Sequence, residues 1–129
     1  MNSTALKSIG AILAGFMTVA ILSVGTDIVL ETLGIFPPVS ERGLFITWVL
    51  VIALAYRSID TVIGGYITAR LAPNHPMRHV VILMALGAAG GVAGIIAGWS
   101  LSPHWYPILL AITGPLFVWL GGKLALRTR

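Results

Sequence analysis

The chain has 129 residues, of which 57% are hydrophobic and only 9% charged, and its mean hydropathy is +0.98. So little charge cannot cover a soluble domain of this size, so the bilayer rather than water is its main solvent. The net charge of +4 does not point to nucleic acid, since the basic residues gather at helix ends, where topology accounts for them; the lack of cysteine excludes disulfides, thiol catalysis and thiolate metal sites.

Crossing the ~30 Å hydrocarbon core takes about 20 apolar residues in a helix, and the sequence predicts four such spans. The first covers about 8–33 and is closed by Gly34 and the pair Pro37-Pro38, which continue a helix poorly. Lys7 precedes it, but the apolar run is longer than a signal-peptide core and no A-x-A site follows, so it reads as a retained span. Ala11 and Gly15 form a small-residue pair suited to close helix contact. Asp27 and Glu31, four residues apart, share one face.

The second span covers about 41–71, with Ser40 as N-cap, Glu41 in the first turn and Pro73 beyond its end. Its stretch AYRSIDTVIGGYITAR places Arg57, Asp60, Thr61, Gly64 and Thr68 on one face. An ionised group at the bilayer centre costs about 2.5–3.5 kcal/mol on insertion scales, so each should find a partner. In an antiparallel hairpin, Asp27 and Arg57 would lie about 12 and 22 Å from the outer ends of their helices at a rise of about 1.5 Å per residue. Side chains lean toward their own helix N-terminus, so these two lean toward each other. The expected cluster has Arg57 at its centre, Asp60 one turn deeper, Asp27 above it and Glu31 nearer the outer surface.

The third span covers about 76–101, with Pro76 in its first turn. His75 and His79 flank that proline; without a nearby Cys or carboxylate, and with Arg78 beside them, they read as solvated interfacial histidines, and no metal site is expected. Further along, LGAAGGVAGIIAG sets Gly87, Gly91, Gly94 and Gly98 in a stripe with Gly90 beside it. Such GxxxG spacing indicates close helix packing, within the bundle or against a homodimer partner or another membrane protein. The fourth span covers about 106–126. His104, Trp105 and Tyr106 form an interfacial belt at its start, and Gly114-Pro115 marks a kink or hinge in its interior.

Lys7, Arg70, Arg78, Lys123, Arg127 and Arg129 all fall on one side of this arrangement, against Arg42 on the other. The positive-inside rule then places both termini in the cytoplasm. The expected fold is an all-α integral membrane protein, a single domain over 1–129 with four transmembrane helices in a compact bundle, in a bacterial inner (plasma) membrane. The middle of the first span, 15–20, lacks the embedded Glu of small multidrug-resistance transporters, and the paired-Phe pattern of small fluoride channels is also missing. No catalytic signature appears, so enzymatic activity is not expected, nor is a cofactor. The leading expectation is a structural or accessory membrane protein whose partner is the bilayer and whose charge cluster fixes helix register. The alternative is a small, oligomeric ion- or proton-coupled transporter or channel that uses Asp27, Glu31, Arg57 and Asp60.

Overall fold

Each apolar run winds into a helix, since in lipid only an internal ladder satisfies the backbone of a single segment. The computed structural model describes residues 3–37 and 45–127. They form α1 (Ser3–Thr32), α2 (Thr47–Leu71), α3 (Pro76–Ala97) and α4 (Trp105–Arg127). All four are long and apolar enough to cross a membrane, with mean hydropathies of 2.0, 1.4, 2.4 and 1.7. The chain is an all-α integral membrane protein.

The helix ends follow local chemistry. Gly34 adopts φ +77° just past α1, and the Ile35 and Gly34 amides bond back to Leu30 and Glu31 at 3.0 and 3.1 Å, a Schellman closure that needs glycine. The Ala72 amide ends α2 on the Thr68 carbonyl at 3.0 Å, ahead of Pro73. Pro76 opens α3, where its missing N–H is harmless. α2 starts at Thr47 rather than near 41, because Ile46 is extended (φ −86°, ψ 110°) and offers no side-chain cap. Hydropathy does not tell an extended apolar segment from a helical one, so Phe45 and Ile46 made the run look longer. Pro38, Ser40, Glu41, Arg42 and Arg129 lie outside the described residues. α3 stops at Ala97, short of the expected 101, with Gly98 as its C-cap. α4 runs through Pro115 unbroken.

α2 is the central helix, packed against the other three, while α3 also packs along α4. α1 meets α3 more sparingly, and among the described residues it does not meet α4. The end with the termini and the α2–α3 turn is here the proximal end; the opposite end is distal. One core cluster, Ala69, Val80, Leu83, Val118 and Ala125, fills the proximal half. A smaller one, Phe36, Val49 and Ala53, lies distally. Outward residues such as Ile21 (63% exposed) and Ile96 (75%) have the bilayer as their only favourable solvent.

Backbones approach most closely at glycines. A methyl on Gly15 would fall on Thr68 Oγ1 and 2.7 Å from the Gly64 carbonyl; on Gly65 or Gly121 it would strike the carbonyl oxygens of Val118 or Val62. The small pair Ala11/Gly15 is thus part of the main α1–α2 seam, where Thr68 also donates to the Ala11 carbonyl at 3.0 Å. The α3 stripe behaves differently. Among the described residues, only Gly91 of this stripe packs on a neighbouring helix, against Ala111 at 2.8 Å, and a methyl on Gly87, Gly90 or Gly94 would meet nothing within 4 Å. Its spacing reports small size on one face, and α4 lies against only one point of that face.

His79 also departs from expectation. It is buried, with Nδ1 3.0 Å from the His75 carbonyl and Nε2 2.8 Å from Ser8 Oγ. Nδ1 must donate to the carbonyl, so in the neutral ring Nε2 accepts from Ser8. The imidazole ties α3 to α1 because Ser8, near the start of α1, supplies a partner that the local NHPMRH motif does not reveal.

Candidate functional site

The site grows from two facing stripes. On α1, Ala11, Gly15, Val19, Ser23, Asp27 and Glu31 recur every fourth residue, forming a ridge that winds slowly around the helix. On α2, Ala53, Arg57, Asp60, Gly64 and Thr68, spaced by four, three, four and four residues, share one face. Antiparallel packing sets small against small in the proximal half and polar against polar in the distal half.

Asp27 and Arg57 form an ion pair through Oδ2 and an η-nitrogen, their side chains 29% and 31% exposed. The Tyr56 hydroxyl donates to the other Asp27 oxygen. Both oxygens of this carboxylate are therefore engaged from consecutive residues of α2. The guanidinium carbon stands 5.8 Å from the Tyr56 ring centroid, and Arg57 Nε is buried with no partner among the described residues. Asp60 is not part of the ion pair. It is buried and accepts from Ser23 Oγ at 3.2 Å, one turn proximal to Arg57. Glu31 lies distal to Asp27, on the wall of a cavity.

That cavity has a volume of about 360 Å³ and is bordered by Asp27, Glu31, Tyr56, Arg57 and Tyr106, with Gly90, Gly94 and Gly98 on the facing helix. Most of the glycines read as packing residues are thus cavity wall. A second cavity of about 310 Å³ lies beside Ser23, Arg57, Thr61, Gly87 and Gly114. Residues of α1 and α4 line both, so both occupy the gap between those helices, and Arg57 borders each. Gly114 therefore faces open space, and its neighbour Pro115 sits in continuous helix, where Thr113 Oγ1 bonds the Leu109 carbonyl at 2.7 Å.

Chemically this is an apolar cleft with a few convergent polar groups, the usual constitution of a small-solute site. Asp27 occupies part of the guanidinium; Glu31 and Asp60 add two carboxyls with no cationic partner among the described residues. Ser23, Tyr56 and Tyr106 escaped the sequence reading. Ser23 was signalled by its place one helical step before Asp27, and Tyr56 by adjacency to Arg57. Tyr106, assigned to an interfacial belt, reaches the cavity because α4 starts beside α2's charged turn. His104, assigned to the same belt, stacks on Trp99 with centroids 3.5 Å apart.

Comparison with known proteins gives one informative similarity. Over 63 residues, 47% of this chain, the sequence is 40% identical to a protein named riboflavin transporter from Rhizobium johnstonii (strain DSM 114642 / LMG 32736 / 3841). The match covers 20% of that protein's length. No family model matches the chain, and no solved structure matches it. The chain is an integral membrane protein with a stretch similar to part of a transporter.

Proposed function

We propose that the chain takes part in moving a small polar solute across the membrane, with Asp27, Glu31 and Arg57 as the polar lining of its binding cleft. The observation that carries this reading is the position of the ion pair: it lies on the wall of a cavity of about 360 Å³ instead of being sealed between α1 and α2. Intramembrane charges beside such a space suit a solute path. The similarity to a stretch of a riboflavin transporter supports the same class. Both termini are cytoplasmic in this reading, from the proximal Lys7, Arg70, Arg78, Lys123 and Arg127, so the cleft faces the outside. Asp60 and Ser23 hold α1 against α2 at the base.

The absence of cysteine makes a direct test convenient. Gly94→Cys places a thiol in the cleft and Ile96→Cys places one toward lipid. In intact membranes a water-soluble maleimide should modify position 94 and spare position 96. No modification at 94 would mean a closed cluster, and the structural or accessory reading would replace this one. Flux is the second measurement. Wild-type protein in vesicles should take up riboflavin faster than empty vesicles, and Arg57→Gln should abolish the difference. Labelling at 94 without flavin uptake would retain the cleft and exclude that solute.

A further inference from the structure

Another groove lies away from the charge cluster, between α2 and α4 toward the proximal end. Its volume is about 610 Å³, and Val62, Phe117, Leu120 and Leu124 line it with Lys123 and Arg127. The two cations are four residues apart on the last turns of α4, so their side chains stand together. The Lys123 ammonium is 5.4 Å from the Trp119 ring centroid, which holds it beside the groove. Among the described residues, no acidic one lines this space. Asp60, two positions from Val62, is turned toward Ser23 on α1.

We propose that this groove binds an anionic phospholipid. Its phosphate would sit on Lys123 and Arg127, and an acyl chain would run along Val62, Phe117, Leu120 and Leu124. The argument is charge complementarity combined with direction. Phe117 and Leu120 precede both cations on α4 and Leu124 lies between them, so the apolar lining leads from the helix end into the bilayer interior. Scattered basic residues required only by topology need no such lining. A free phosphate could use the cations but would leave the groove unfilled; a zwitterionic lipid would fill the groove but gain little from the cations.

The test is lipid titration of the full chain in detergent, read by native mass spectrometry, with phosphatidylglycerol against phosphatidylcholine. Each basic residue near an anionic headgroup contributes about fivefold in affinity, so Lys123→Gln/Arg127→Gln should weaken phosphatidylglycerol binding by about thirtyfold. The control Lys7→Gln/Arg78→Gln removes the same charge at the same end but outside the groove, and should change binding by less than about threefold. If the groove double variant does not fold, Arg127→Gln alone should show about a fivefold loss. Equal binding of the two lipids by the wild type would overturn the proposal. So would a control pair that loses as much as the groove pair, since the effect would then be diffuse charge. Displacement of the lipid by inorganic phosphate alone would equally exclude it.

Discussion

The two halves of the α1–α2 seam share one periodicity and have opposite character. Proximally, Ala11, Gly15, Gly64 and Thr68 bring the backbones together until no further atom fits. Distally, Ser23, Asp27, Arg57 and Asp60 hold the same helices through polar side-chain bonds beside open space. Close backbone contact leaves room for nothing else. Polar side chains hold helices together with a space between them, and that space is what a solute site needs. On the proposed reading, the molecule separates holding from hosting along one pair of helices.

The largest expected effect comes from forcing the proximal half apart. Gly15→Val would drive side-chain carbons into Thr68 and the Gly64 carbonyl; overpacking of this kind costs about 3 kcal/mol. It should appear as a large fall in thermal unfolding temperature in detergent. Next is Arg57→Gln, which leaves Asp27 without its cation. Breaking a fully buried pair costs about 3–5 kcal/mol, and water reaching the cleft should reduce this to about 2. Adding Asp27→Asn should recover part of the loss; if the double variant is as unstable as the sum of the singles, the pair contributes no coupling.

Ser23→Ala tests the lower edge of the polar half. It removes the hydroxyl that Asp60 accepts from, a loss of about 1 kcal/mol, again read from the unfolding temperature. The smallest effect should have the opposite sign. Gly94→Ala adds a methyl where nothing lies within 4 Å, so the better helix propensity of alanine should stabilise by about 0.5–1 kcal/mol. A strong destabilisation there would show that Gly94 packs against another backbone, as a homodimer seam requires.

The number of helices was legible because hydropathy over twenty residues is a strong signal, and the contact between Asp27 and Arg57 joins two residues whose depths follow from helix rise. What escaped depends on lateral placement. The α3 glycines carry a packing signature, yet whether a helix lies opposite them is decided by where α4 crosses, and only Gly91 meets it. Asp60 was placed one turn deeper than Arg57 from their shared helix face, but its hydrogen-bond partner, a serine on the facing stripe, was not foreseen. His79 became a buried tie because Ser8, far away in sequence, arrives beside it. Periodicity along one helix says which residues share a face; it does not say which neighbour covers them.

Among the described residues the backbones of α1 and α4 do not come close, and this has a mechanical consequence. α1 is fastened along one edge to α2, with a lesser fastening to α3 through Gly15–Leu83 and Ser8–His79. The other three helices interlock through Gly65, Gly91, Gly121 and Gly122. A pull on the N-terminus would meet the resistance of one long seam and a few ties to α3, and should extract α1 as a separate early step. A pull on the C-terminus would have to prise α4 from two neighbours at once, so single-molecule extraction should need greater force from that end.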